Sequence, residues 1–259
     1  MIRRRLYAEI RVSKLAVWSR RIAVFALPVF LLAIMLHRLG AIEYYPALVL
    51  VFAVLAILTL SLLLAIAALV VIWNEGLKGL GSALFALFLS AALLAYPVFE
   101  VVRGVMLPPI NDVSTDTADP PQFAAIAKLR PQNANPVQYA GGQTAELQKA
   151  FYPAVRPAEF DAELSEIASA VSTLMQRRGW RNLDIVQASG NSAVHLEAVT
   201  MTAIMGFRED IAIRIRRVGN MVRVDMRSAS RYGSRDFGTN ARRIESFLAD
   251  LVEARRRAH

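Results

Sequence analysis

Charged and apolar residues alternate in three stretches of the C-terminal half, and this spacing decides which side chains could act together. The stretches read SAVHLEAVTMT, REDIAIRIRRV and MVRVDMRSAS and begin at Ser192, Arg208 and Met221. Side chains two residues apart lie on the same face of a β-strand, so each stretch predicts one apolar and one charged face. Opposed carboxylates could divide into a general acid and a general base, whereas grouped arginines would suit an anion or an acidic partner.

A two-residue turn at Gly219 and Asn220 would join the last two stretches as a hairpin, since both residue types suit such turns. The register follows from the turn. It pairs Ile215 with Val224, Ile213 with Met226, and Arg214 with Asp225. The apolar members then share one face, and the other face collects Asp210, Arg214, Arg216, Arg223, Asp225 and Arg227.

A second turn at Gly190 and Asn191 would pair the first stretch with RNLDIVQAS, which begins at Arg181. The same rule pairs Ile185 with Leu196 and Leu183 with Ala198 on the inner face. It places Asp184 opposite Glu197, and Val186 opposite His195, on the outer face. The outer face is then a mixed array of carboxylates and guanidinium groups.

This outer face has two interpretations. It could be a solvated surface with cross-strand ion pairs, each contributing about 0.2 to 1 kcal/mol. However, the like-charge pairs Arg216 with Arg223, and Asp184 with Glu197, cost free energy unless a ligand or partner neutralises them. An anionic ligand or a partner protein would do so.

Signals for catalysis are weak. A hydrolase could use Glu197, Asp210 or Asp236 as acid and base, but no GxSxG nucleophile motif is present. The chain has three histidines and no cysteine, which excludes thiol chemistry and makes a zinc site improbable. No cofactor is expected.

The stretch RSASRYGSRDFGTN, residues 227–240, follows the last strand and precedes a helix. Asp236, Thr239 or Asn240 could cap that helix with a side-chain oxygen. Capping leaves Arg227, Ser230, Arg231 and Arg235 unexplained, and a helix N-terminus beside them would suit an anion. The predicted ligand-binding or partner-binding residues are Glu197, Asp210, Arg214, Asp225, Arg227, Ser230, Arg231, Asp236 and Asn240. On this view, Arg227 and Arg231 could be replaced together with loss of binding and little loss of stability.

Two amphipathic helices would position this sheet. Phe160, Leu164, Ile167, Val171 and Leu174 recur at helical spacing between Pro157 and Gly179. A last helix from about Thr239 carries Ile244, Phe247, Leu248 and Leu251. The order helix, four strands, helix predicts a small α+β domain over residues 157–259, with a four-stranded antiparallel sheet packed by two helices. Residues 107–156 are rich in proline and polar residues, which predicts a linker and loop segment with a short helix near Thr144 to Phe151.

The N-terminal part of the chain predicts a membrane region. The chain is 55% hydrophobic with mean hydropathy +0.38, and three apolar runs cover about residues 22–42, 46–73 and 79–102 within 22–106. Residues 1–21 hold seven Arg or Lys against Glu9, which predicts a cytoplasmic N-terminus and, after three crossings, an extracytoplasmic C-terminal domain. A cleaved signal peptide or only two spans are the alternatives. Because most of the net charge of +9 lies in this basic segment, nucleic-acid binding is not expected.

Several of these segments resemble a bacterial family, domain of unknown function 1499. The resemblance rests on PPINDVSTDTADPPQF, GW at 179 and 180, EAVTMTAIMGFREDIAIRI and VDMRSASRYGSRDFGTNARRIESFL, over roughly residues 108–253. It implies an α+β domain, often anchored by N-terminal membrane helices, with no established activity or cofactor. The matching residues are Glu197, Gly206, Phe207, Asp210, Arg214, Asp225, Arg227, Ser228, Ser230, Arg231, Gly233, Asp236, Gly238, Asn240 and Arg243. The segment YPAVRPAEF is shorter than in relatives, which puts any shared groove there in doubt.

The sequence therefore predicts a bacterial inner-membrane protein with a periplasmic α+β domain. That domain would bind a partner protein or an anionic ligand through the arginine-bearing sheet face and the adjoining loop. The alternatives are an assembly or scaffold factor for a membrane complex and, less favoured, a carboxylate-based hydrolase.

Overall fold

A computed structural model describes residues 11–187 and 193–257, with residues 183–187 described at the backbone only. The chain divides into two compact units, Met1–Val101 and Val102–His259. The predicted turn at Gly190 and Asn191 lies outside the described residues.

The prediction of three long apolar N-terminal helices is confirmed. The helices are α1 (Lys14–Arg38), α2 (Tyr44–Glu75) and α3 (Leu80–Met106), and each is long and apolar enough to cross a membrane. Helix α3 continues through Pro97 rather than ending there. Small side chains at the helix contacts, such as Ala23, Ala65 and Ala86, allow the close backbone approach that packing in a bilayer favours.

Helix α1 packs as a member of the first unit. The Ser61 hydroxyl donates to the Ser19 carbonyl oxygen at 2.9 Å. At the start of α1, the Ser13 backbone N–H donates to the Lys78 carbonyl oxygen at 2.9 Å, and the Lys78 N–H donates to the Arg11 carbonyl oxygen at 3.0 Å. The beginning of α1 therefore lies beside the turn that joins α2 to α3.

The second unit contains six strands and four helices in the described residues. The strands are β1 (Asp112–Ser114), β2 (Ala158–Phe160), β3 (Arg181–Gln187), β4 (Ala193–Met201), β5 (Arg208–Val218) and β6 (Met221–Ser230). The helices are α4 (Ala125–Leu129), α5 (Gly142–Phe151), α6 (Leu164–Arg177) and α7 (Thr239–Arg256).

These strands form one antiparallel sheet in the order β1-β6-β5-β4-β3, with β2 also pairing β6. The predicted four-stranded sheet is therefore wrong by two strands. Strands β1 and β2 have three residues each, too few to show an alternating pattern. Because β2 occupies Ala158–Phe160, the helix predicted from Pro157 begins instead at Leu164.

The predicted register of the last hairpin is confirmed, including Arg214 with Asp225 and Arg216 with Arg223. Between β3 and β4, the pairs Ile185 with Leu196, Asp184 with Glu197 and Val186 with His195 are also confirmed. The predicted pair Leu183 with Ala198 is wrong. Asn182 pairs with Ala198 instead, because the register shifts between Asn182 and Asp184.

One face of the sheet forms the main hydrophobic core with α6 and α7. Ile211, Ile213 and Ile215 of β5 are fully buried there, and Trp180 stacks on Phe247 of α7 with ring centroids 4.9 Å apart. We call this the apolar face.

A glutamine side chain protects the outer edge of β1. Gln148 of α5 donates from Nε2 to the Ser114 carbonyl oxygen at 2.7 Å, and its Oε1 accepts the Ser114 N–H at 2.9 Å. The side-chain amide thus substitutes for a neighbouring strand. Unpaired edges of this kind otherwise invite pairing with other chains.

Candidate functional site

The sheet face that carries most of the predicted binding residues is covered by the chain itself. We call it the arginine face; it comprises the side chains of β4, β5 and β6 that alternate with those of the apolar face. Residues 115–139, the covering segment, lie against it, with Phe123 and Ile126 packed on Ala212 and Ala229. The interpretation of this face as a solvated surface is therefore wrong.

Eight of the nine predicted binding residues are buried, and Arg214 is half-buried. The eight buried residues are Glu197, Asp210, Asp225, Arg227, Ser230, Arg231, Asp236 and Asn240.

Arg227 is fully buried and forms a bidentate ion pair with Asp112 of β1. Its Nε donates to Oδ1 at 3.0 Å and its Nη2 to Oδ2 at 2.6 Å. The guanidinium also donates to the carbonyl oxygens of Pro121 and Val137 and lies 4.4 Å from the centroid of the Phe123 ring. Burial raises the pKa of Asp112, although the hydrogen bond and charge of Arg227 act to lower it. Arg227 therefore joins β6 to β1 and to the covering segment.

Arg231 and Arg130 share a second buried carboxylate, Asp210. Arg231 Nη2 lies 2.7 Å from Asp210 Oδ1, and Arg130 Nε lies 2.7 Å from Asp210 Oδ2. Arg130 also donates to the carbonyl oxygens of Asn135 and Pro136 at 2.7 and 2.9 Å. Removing Arg227 would leave the buried Asp112 carboxylate without its guanidinium partner, and removing Arg231 would leave Asp210 with Arg130 alone. We therefore expect loss of stability from either change, the reverse of the expectation from the sequence.

The like-charge pair Arg216 with Arg223 is neutralised by the covering segment rather than by a separate ligand. Asp116 Oδ2 lies 3.3 Å from a guanidinium nitrogen of each of three arginines: Arg214, Arg216 and Arg223. Asp119 and the buried Asp225 also contact this group, with Arg214 at 2.8 and 3.2 Å. An anion is therefore present on this face, and it belongs to the same chain.

Glu197 anchors the middle of the covering segment, at the start of α4. Its carboxylate accepts the backbone N–H groups of Ala124, Ala125 and Ile126 at 2.7, 3.1 and 2.8 Å, and His195 Nε2 lies 3.6 Å away. Burial acts to raise the pKa of Glu197, but the His195 contact and the three backbone hydrogen bonds outweigh it, so the pKa lies below its usual value. This carboxylate is held ionised by structural contacts.

Charges between the arginine face and the covering segment balance. Six carboxylates and six guanidinium groups meet there: Asp112, Asp116, Asp119, Glu197, Asp210 and Asp225, with Arg130, Arg214, Arg216, Arg223, Arg227 and Arg231. The arginines that the sequence predicted as a surface for an anionic ligand are thus paired with carboxylates of the same chain. The same contacts engage Glu197 and Asp210, two of the three candidate acid and base groups of a hydrolase.

The 228–240 stretch forms a second buried polar network, at the N-terminus of α7. Asn240 Oδ1 accepts from Ser228 Oγ and from Arg243 Nη1, both at 2.8 Å. Its Nδ2 donates to Ser230 Oγ at 3.1 Å. Glu209 accepts from Ser230 Oγ at 3.2 Å and pairs with Arg243.

Asp236, one of the three capping residues that the sequence offered, caps α7. Its oxygens accept the N–H groups of Gly238 and Asn240 at 2.9 and 2.8 Å. Burial, assisted by the charge of Glu209, raises the pKa of Asp236.

Four residues predicted to gather at one edge of the sheet contact separate sets of partners. Arg227, Arg231 and Ser230 enter the networks above. Arg235 Nη1 instead donates to the carbonyl oxygens of Gly104 and Leu107, both at 3.0 Å. The structure therefore does not bring these side chains together as one anion site.

A polar cleft of about 460 Å³ lies beside β1, and the sequence did not reveal it. It is lined by Pro109, Ile110, Asn111, Asp112, Asn135, Pro136, Gln138, Tyr139, Ala140, Thr144, Ala229 and Ser230. These residues come from separate segments, most of them in the stretch predicted as linker. The asparagines in PPIND and PQNANP are the one sequence signal that points to it.

Two asparagine side chains give this cleft, which we call the asparagine cleft, its hydrogen-bonding character. Asn111 Nδ2 donates to the Gly233 carbonyl oxygen at 2.6 Å, and Asn135 Nδ2 donates to the Ser230 and Gly233 carbonyl oxygens at 2.9 and 2.8 Å. Within the described residues, neither Oδ1 atom accepts a hydrogen bond. Tyr139 donates to Gln148 Oε1 at 3.3 Å, and burial raises the pKa of Tyr139 to about 12, so its hydroxyl stays protonated. The cleft can therefore offer uncharged acceptors to a polar group.

Across residues 11–182 and 193–257, whose side chains the structure describes, no three His, Asp or Glu residues are grouped so that they could hold a metal ion.

Comparison with known proteins gives a family match for the sheet domain. No curated protein matches the chain. A family model described as "Protein of unknown function (DUF1499)" matches residues 112–251, which begin at β1 and include the covering segment, every strand and most of α7. The match covers more than half of the 259 residues, so the chain belongs to the DUF1499 family.

Proposed function

We propose that this protein is a bacterial inner-membrane protein whose C-terminal domain lies in the periplasm and binds a partner protein. The topology is supported by the three apolar helices and by basic residues at one end of the first unit. Arg11 and Lys78, which are joined by backbone hydrogen bonding, lie at the same end as the start of α1, and positive residues favour the cytoplasmic side.

The asparagine cleft is the observation that carries the binding proposal. The charged groups of the arginine face are already paired, so they offer little to a ligand. The cleft combines open volume with two amide oxygens that accept no hydrogen bond from the part of the chain that the structure describes. Clefts with a few convergent polar groups are the usual form of a binding site. A partner would insert a polar, uncharged or cationic side chain, which replaces the anionic ligand that the sequence suggested.

Site-specific photocrosslinking in living cells tests this proposal. A benzophenone amino acid at Gln138, an exposed residue that lines the cleft, should form a discrete adduct with a partner protein. Gln132, also an exposed glutamine of the covering segment but outside the cleft lining, is the matched control. An Ala140→Trp change, which fills the mouth of the cleft, should abolish the Gln138 adduct.

Equal crosslinking from both positions, or an adduct that survives Ala140→Trp, would contradict binding at the cleft. If the adduct contains subunits of one larger membrane complex, the protein acts as an assembly or scaffold factor, which is the second form of the same proposal.

The membrane topology has its own test. Alkaline phosphatase fused after His259 folds only in the periplasm, so the fusion should be active with three crossings. An inactive fusion would mean that only two helices cross or that the orientation is reversed.

A further inference from the structure

The loop of residues 231–238 contacts residues 103–107, and both belong to the unit Val102–His259. Arg103 Nη2 donates to the Phe237 carbonyl oxygen at 2.9 Å, while Arg235 donates to the carbonyl oxygens of Gly104 and Leu107. The last carbonyl groups of a helix lack partners within the helix and attract cations. Arg235 thus caps the end of α3, and the loop is fixed against it.

Phe237 is held in an unusual backbone conformation at this contact. Its φ is 52°, in the left-handed region that residues other than glycine seldom adopt. Its ring lies over Gly104 so closely that a Cβ at position 104 would be 2.0 Å from the ring. A strained conformation of this kind persists only where the surrounding contacts impose it, and it is often associated with function.

Apolar side chains around this contact are exposed. Val105 and Met106 are each 76% exposed, and Phe237 is 37% exposed. Residues 80–106 form one helix with the length and composition of a membrane span, so the end of that helix is where the chain would leave the hydrocarbon. Exposed apolar side chains such as phenylalanine bury their surface at the boundary between headgroups and acyl chains, and basic side chains are attracted to the lipid phosphates.

We propose that the 231–238 loop is a membrane-interface anchor, in which Phe237 inserts beside Val105 and Met106 into the bilayer surface and Arg103, Arg235 and the exposed Arg242 face phospholipid phosphates. The occupant of this patch is lipid, because the patch is continuous with an apolar helix of spanning length. The anchor would hold the domain close to the membrane and would set which of its surfaces face a partner. It does not depend on the asparagine cleft.

The absence of cysteine from the chain makes a direct test possible. The full chain carrying Phe237→Cys, labelled with a nitroxide and reconstituted in nanodiscs that contain phosphatidylglycerol, would be probed with oxygen and with a polar nickel chelate. Met201→Cys is the control, since Met201 is an exposed apolar residue of the same domain at the end of β4. Ser234→Cys, in the same loop, provides a second position if Phe237→Cys fails to fold.

Lipid insertion predicts a several-fold higher ratio of oxygen to nickel accessibility at 237 than at 201, and an intermediate ratio at 234. Equal, water-like ratios at all three positions would overturn the proposal. Shielding of position 237 from both reagents would also overturn it, because it would indicate a covering protein.

Discussion

The two faces of one sheet are buried by different means. On the apolar face, isoleucines of β5 pack against α6 and α7 with no directional bonds. On the arginine face, the alternate residues of the same strands bind a segment whose only regular structure is the five-residue helix α4. Hydrophobic packing tolerates changes that keep volume, whereas a buried ion pair depends on each partner being present.

This difference indicates what holds the covering segment in place. Besides the small apolar cluster around Phe123 and Ile126, the segment is attached through Asp116, through the backbone at Glu197, and through Arg130. Loss of one buried partner should therefore affect the fold of the segment and the sheet together. The following changes test this comparison from the largest expected effect to the smallest, with unfolding followed by the fluorescence of Trp180 in a chain that carries Trp18→Phe and Trp73→Phe.

Arg227→Ala should have the largest effect. It leaves the Asp112 carboxylate buried without its cation, and such changes cost about 3 to 5 kcal/mol in the free energy of unfolding. Urea denaturation of the detergent-solubilised chain measures it. The double change Arg227→Met with Asp112→Leu should restore much of the loss, because apolar residues can replace a buried pair. A cost below about 1 kcal/mol for Arg227→Ala would mean that the ion pair does not hold β1.

Glu197→Gln should cost about 1.5 to 3 kcal/mol at neutral pH, the range for hydrogen bonds to a charged group. The lowered pKa sets the pH dependence. The stabilisation by Glu197 is complete above its usual pKa and is lost as pH falls through the lowered folded-state pKa. The stability difference between the wild type and the variant should therefore shrink only in strong acid. A difference that disappears well above the usual pKa of a glutamate would contradict the structural role.

Ile213→Val tests the apolar face at a fully buried position of β5. Removing one methylene from a core usually costs about 0.5 to 1.5 kcal/mol. We expect no change in protease sensitivity of the covering segment, which contacts the opposite face. A rise in cleavage within residues 115–139 on Ile213→Val would show that the two faces are not independent.

Asp119→Asn should have the smallest effect. The Asp119 side chain is 64% exposed, and exposed ion pairs contribute about 0 to 1 kcal/mol. Added salt should reduce the difference from the wild type further. A loss as large as that of Arg227→Ala would mean that the exposed aspartate carries the attachment of the segment.

Local patterns in the sequence were sufficient to predict the long helices and strands. The register around Gly219 and Asn220 is correct because the turn fixes it, and the stripe of α7 is correct because each of its apolar residues meets the core. The start of α6 was misplaced because Phe160 continues the helical spacing by coincidence while it pairs in β2.

The covering segment could not be predicted for a different reason. Asp116 and Arg216 are one hundred residues apart, and no local pattern joins them. The sequence correctly identified the like-charge pair as needing a partner, but it could not show that the partner lies within the same chain. The asparagine cleft was missed for the same reason.

The arginine face also bears on how the protein is made. During synthesis of a membrane protein, the insertion machinery must distinguish membrane spans from other segments that contain apolar residues. Strand β5 is such a segment, with five apolar residues among its eleven. A charged residue near the middle of a candidate span costs about 2.5 to 3.5 kcal/mol on insertion scales. Six of the eleven residues of β5 are ionisable, so this strand lacks the apolar composition that would lead to its insertion as a span during synthesis.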